Sequence, residues 1–193
     1  MINRKSFRRS LIAACVLIRL ATVCAAQDGA TGERPNFTGT WRLNRELSDK
    51  PQEKVKEAVG KRGAIGRMIG GRAAQAKIQD RMKNLEGFGD TLKITHNDPE
   101  FQVSGNGDSS RQIFTDGRKV SVTTPKGENL ETTARWQGSH LVVVTQRAGG
   151  GKLTQTYTLG ENGEQMTVVI QIAGRRLDRP IDMRFVYDAE EGR

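Results

Sequence analysis

The chain has 193 residues with 31 Lys and Arg against 22 Asp and Glu, a formal charge of +9. That length gives room for one domain with a real core. Its two cysteines, Cys15 and Cys24, both fall in an N-terminal segment read below as a cleaved leader, which excludes a disulfide scaffold and thiol chemistry in the remainder.

Residues 1–26 read as a secretory signal peptide. Arg4, Lys5, Arg8 and Arg9 form a cationic start, "LIAACVLIRLATV" an apolar run interrupted by Arg19, and "CAAQ" a small-residue cleavage site before Gln27. The run is too short to span a membrane. The Arg8–Arg9 pair lacks the rest of a twin-arginine motif, and Cys15 has too little apolar sequence before it for a lipoprotein. The expected location is therefore exported, periplasmic or secreted. Losing those five basic residues lowers the charge from +9 to +4, which weakens any nucleic-acid reading of the high pI. Residues 27–36 are polar and expected to be a flexible lead-in.

"NFTGTWRLNRELSD" (36–49) has the alternation of a first strand. Over about 50–86 that period disappears, and apolar residues recur at helical spacing. Ser48 and Asp49 ahead of Pro51 suit a helix start. Six glycines between Gly60 and Gly87 argue against one long helix, since each costs about 1 kcal/mol in a helix interior. Two short helices, 52–59 and 72–85, are expected. The insert is basic, with Lys61, Arg62, Arg67 and Arg72 prominent. Such a segment can lie on an anionic membrane surface or screen a pocket mouth, or simply present a solvated lid face. It has no aromatic residue on which bases could stack, so no nucleic-acid partner is expected.

From Thr91 on, strand-like runs alternate with turn signals: 91–96, 101–104, 111–115, 119–124, 130–136, 140–147, 153–159, 165–172 and 179–187. With the opening strand they make about ten. Tyr157 and Leu159 share a face with Leu153 and Gln155. Met166, Val168 and Ile170 line up likewise, as do Met183 and Phe185. One apolar and one polar face on successive hairpins imply an all-β fold, an antiparallel up-and-down barrel over 37–188, with 189–193 a tail. Barrel closure would hide the sheet edges. The inward residues Tyr157, Leu159, Met166, Val168, Ile170, Met183 and Phe185 either bind a small hydrophobic or amphipathic ligand or fill the barrel.

No catalytic motif, metal site or cofactor is expected, so the chain reads as a non-enzyme. His96, Asp98 and Glu100 are close in sequence, but Asp98-Pro99 is turn chemistry. "GNGDSS" has one carboxylate, too few for calcium, and "GAIGRMIGGR" lacks the end of a phosphate loop.

Gly39, Thr40 and Trp41 form a glycine–any–tryptophan triplet, and with the insert position and strand count the chain resembles the calycin superfamily of lipocalins and fatty-acid-binding proteins. The resemblance implies a two-helix lid after the first strand and an arginine of the last strand, here Arg184 in "MRFVYD", stacked over the signature tryptophan. In that role Gly39, Trp41 and Arg184 hold the barrel shut rather than touch ligand. Fatty-acid-binding proteins also grip a carboxylate with an arginine and a tyrosine two residues apart on the last strand. Here Arg184 and Tyr187 are three apart, so a regular strand sends them to opposite faces. The best match is an exported bacterial relative, and a monomer is expected. The alternative is a packed interaction domain of the cell envelope that meets anionic surfaces through the basic insert.

Overall fold

The computed structural model describes residues 34–60, 89–105, 110–124, 127–174, 177 and 179–190. The proposed signal peptide, the second insert helix and Lys61, Arg62, Arg67 and Arg72 lie outside these.

Ten strands and one helix follow one another along the described chain. They are β1 (Gly39–Asn44), α1 (Pro51–Gly60), β2 (Thr91–Asn97), β3 (Glu100–Ser104), β4 (Ser110–Phe114), β5 (Val120–Thr123), β6 (Asn129–Gln137), β7 (His140–Arg147), β8 (Lys152–Leu159), β9 (Gln165–Ala173) and β10 (Ile181–Ala189). The sheet order is β4-β3-β2-β1-β10-β9-β8-β7-β6-β5. Every neighbour is thus a sequence neighbour except β1 and β10, whose antiparallel pairing (Trp41↔Ala189 through Asn44↔Val186) curls the meander round.

Alternation selects the inner face. On β9, Met166, Val168 and Ile170 are buried, and their β10 partners Tyr187, Phe185 and Met183 are buried with them. Leu141, Val143, Tyr157, Leu92, Ile94, Phe101, Val103 and Ile113 continue the same wall. Each such side chain contributes about 1.5–3 kcal/mol by leaving water, which is why a period of two dictates the register.

The ring is not fully closed. β4 and β5 share no ladder. An isolated bridge, Asp116↔Arg135, joins the chain after β4 to β6 instead, and β5 is left as a short edge with Val122 54% exposed. The expected removal of every edge is therefore corrected. Gly117 makes this crossing possible, because at φ +87° a Cβ would stand 2.4 Å from Arg135 Nε.

Helix α1 matches the first expected insert helix, but its start differs. The first helical bonds run from Glu53 N and Lys54 N to Lys50 O, so Lys50 occupies the cap position. Ser48 and Asp49 serve β10 instead. Val186 N–H donates to Ser48 Oγ (2.9 Å) and Arg184 N–H to Asp49 Oδ2 (2.8 Å), while Asp49 N–H donates to Arg184 O (2.8 Å). Past the end of β1 these groups satisfy backbone that would otherwise be an open edge. Outward-facing Val186 is fully buried where this connection runs back along β10.

Candidate functional site

The register gives the barrel two unlike ends. The β2–β3, β6–β7 and β8–β9 turns lie at one end with the start of β1. The β3–β4, β5–β6 and β7–β8 turns lie at the other, where β1 leaves for α1.

The first end is packed with aromatic rings. Phe37, just before β1, is fully buried. It stacks on Trp136 (centroids 6.1 Å, 17°) and meets Phe101 (6.0 Å) and Tyr157 (6.2 Å) edge-on. His96 completes the group, 5.5 Å from Phe101 and 5.7 Å from Trp136. Trp41 is wholly buried on the inner face, and its Nε1–H donates to Phe37 O (2.9 Å). Gly39 has φ 152°, a region closed to side chains, and so sets the angle at which β1 follows Phe37. Outside this end, Asp98 accepts from Thr115 Oγ1 and pairs with Arg34 (2.9 Å), whose guanidinium lies over the Trp136 ring (5.7 Å). Burial raises the Asp98 pKa, but the Thr115 and Trp136 hydrogen bonds and Arg34 outweigh it and hold the carboxyl below its usual range. The expected Asp98–Pro99 turn is present, with a cis bond.

Arg184 does not stack on Trp41. It is exposed on the outer face of β10, because the inner positions are Met183, Phe185 and Tyr187. A strand cannot turn neighbours of opposite parity to one side. Arg184 and Tyr187 do face opposite ways.

Toward the second end the inner wall turns polar. Arg111 of β4 shares its face with Ile113 and reaches across the unpaired seam. Its Nη2 donates to Thr145 Oγ1 (2.8 Å) and Thr132 Oγ1 (3.2 Å), and Nη1 to Gln155 Oε1 (3.4 Å). Thr132 and Thr145 are 3.1 Å apart, and Gln155 Nε2 donates to Tyr157 Oη (3.4 Å). Thr132, Thr145, Gln155 and Tyr157 are buried, while Arg111 is half-buried. This cluster was missed from sequence, although the parity of "RQIFT" placed Arg111 beside Ile113. Of the expected interior residues, Tyr157, Met166, Val168, Ile170, Met183 and Phe185 are buried and Leu159 is half-buried against the core.

Burial raises the Tyr157 pKa to about 12 against a small lowering by Arg111, and burial also raises that of Tyr187. These are the two tyrosines of the chain. In the folded protein phenolate absorbance should therefore appear only well above pH 10, the unfolded value. Since the unfolded chain loses these protons first, stability should fall as pH rises from 10 toward about 12. Phenolate absorbance rising at pH 10 in the native protein would contradict this burial.

No protein-family model matches the sequence, and no curated protein matches it. Among solved structures, secretory abundant heat soluble protein 4 from Ramazzottius varieornatus is similar at TM-score 0.52 and 12% identity, over 83% of this chain and 99% of that one. Lipid binding protein 8 of Caenorhabditis elegans is similar at TM-score 0.49 and 13% identity, over 80% and 95%. The fatty-acid-binding protein of Drosophila melanogaster brain is similar at 0.48 and 16%, over 79% and 99%. Identities this low speak to fold alone. With ten antiparallel strands in meander order and a helix between the first and second, the chain has a nearly closed antiparallel β-barrel fold, similar to that of secretory abundant heat soluble protein 4.

Proposed function

We propose that the barrel binds, without catalysis, a small amphipathic molecule whose apolar body lies along Met166, Val168, Ile170, Met183 and Phe185. Its polar or anionic head meets the Arg111 cluster. The observation that carries this reading is Arg111 itself: a guanidinium on the inward face of an apolar barrel, surrounded by hydroxyls and amides yet half-buried and so reachable. Arg111 is also a cross-tie, and its hydroxyl and amide partners would remain as acceptors and donors around a bound head.

The test is a fluorescence titration with a conjugated polyene fatty acid and its methyl ester, probes that differ by one charge. The wild type should bind the acid more tightly. Arg111→Met should weaken the acid by about tenfold or more, the value of a charge-assisted hydrogen bond, and leave the ester nearly unchanged. Equal losses for both probes, or no saturable binding of either, would sink the proposal. Export belongs to the same reading and is supported by the charge and apolar pattern of residues 1–26. Intact-mass measurement of protein recovered from its host should show a start at Gln27.

A further inference from the structure

Residues 34–38 form a strap across the aromatic end of the barrel, and three of its hydrogen bonds meet one histidine. The Thr38 hydroxyl donates to His96 O (3.1 Å) and accepts from His96 N–H (3.0 Å). Phe37 N–H donates to the imidazole, at His96 Nδ1 (3.4 Å). The Phe37 ring is 6.1 Å from that of His96 and is fully buried. Arg34 ties the strap's outer part to Asp98 and Trp136.

The Phe37 bond fixes the tautomer. Nδ1 is an acceptor, so in the neutral ring the proton sits on Nε2. Nε2 is buried and has no hydrogen-bond partner, and the residue is only 8% exposed. A second proton therefore has a definite structural cost. It places a donor on Nδ1 facing the Phe37 N–H, so the one bond between strap and ring becomes a clash of two donors. It also makes Nε2–H a charged donor with nothing to receive it. Among the described residues, Asp98 of the β2–β3 turn acts on the ring through its charge, with Arg34 of the strap paired to it; Tyr157 of β8 packs on Phe37 and Phe101, which with Trp136 pack on the ring. Asp98 favours the imidazolium, but its oxygens already accept from Thr115, Trp136 and Arg34.

We propose that His96 is a proton-operated latch: neutral, it holds the 34–38 strap and Phe37 in the end of the barrel, and protonated, it releases them and opens that end. Burial lowers the His96 pKa from 6.5, only partly offset by Asp98. The sign follows. The unfolded or released chain takes up the proton first, so the stability of the latched state is full above about pH 6.5 and is lost as pH falls through the folded value. The latch operates whatever the barrel holds, and its test needs no ligand.

Hydrogen exchange of the purified protein, read by mass spectrometry from about pH 7.5 to about pH 5 and corrected for intrinsic rate, reports the strap directly. Peptides covering 34–38 should exchange at least about fivefold faster at the acid end while β7–β9 peptides keep their protection. His96→Asn puts an amide oxygen where Nδ1 accepts and cannot titrate, so its strap should be insensitive to pH. His140, the other histidine, is exposed at the start of β7, and His140→Asn should behave as wild type. The latch is overturned if wild-type strap exchange is flat, if His96→Asn accelerates equally, or if strap and barrel lose protection together. Should His96→Asn not fold, the His96 ring proton can be titrated by NMR in the wild type. A midpoint below 6.5 that coincides with strap release supports the latch, and titration at or above 6.5 overturns it.

Discussion

Trp41→Ala is expected to lower the unfolding free energy by about 3–5 kcal/mol, the range for truncating a buried Trp or Phe. Trp41 is fully buried between Leu92 of β2 and Ala189 of β10, its register partners. It stands on β1, the strand that joins the two ends of the meander. Alanine leaves a void at that junction and leaves Phe37 O without the indole N–H it accepts. Small domains are stable by about 5–15 kcal/mol, so the variant should be marginal at room temperature. Urea unfolding is the measurement. A midpoint within error of wild type would mean the β1–β10 junction is held by its backbone ladder alone. Selectivity between the acid and ester probes should survive, because Trp41 stands at the opposite end from the Arg111 cluster.

Phe37→Ala should cost a similar amount, about 3–5 kcal/mol, with a different signature. Phe37 has no strand partner. Its ring lies among His96, Phe101, Trp136 and Tyr157, each within 6.2 Å, and aromatic pairs of this kind add about 0.5–1.5 kcal/mol beyond area. Removing it should expose Trp136, shift its emission to the red and admit an environment-sensitive apolar dye at that end. Arg184→Ala serves as the comparison and should change stability by no more than about 0.5 kcal/mol, as outward substitutions do. A loss for Phe37→Ala no larger than that of Arg184→Ala would refute its role as a plug.

The strands were legible because one face is wet and the other is not. In "LTQTYTL" and "QMTVVIQI" the alternation named the inner residues almost without error, and the boundaries of these two strands fell within one residue, whereas the opening run 36–49 shrank to Gly39–Asn44. What escaped was local to single side chains. Phe37 shares the parity of Trp41 and Leu43 in the 36–49 run, but it stands just before the first ladder, and the rings it packs against come from distant strands that no local period names. Arg111 obeys the alternation, but an arginine at an inward position is easily passed over when apolar residues are being sought. Arg184 was matched to Trp41 through a family likeness, and parity overruled it. Ser48 and Asp49 look like helix caps by type. They bond to β10 because a strand that outlasts its partner has free N–H and C=O groups close by, a tertiary fact that composition does not reveal.

The seam between β4 and β5 gives the barrel the mechanics of a split ring. A closed ladder has a fixed circumference, and widening it means breaking rows of backbone hydrogen bonds. Among the described residues, the gap is spanned by the Asp116–Arg135 bridge, by the bonds of Arg111 to Thr132, Thr145 and Gln155 and by that of Trp136 to Asp98, hydrogen bonds each worth about 0.5–3 kcal/mol. On this side the girth of the molecule therefore rests on one backbone bridge and a few side-chain bonds. Widening the ring here need only exchange those contacts, while the nine strand pairings remain intact.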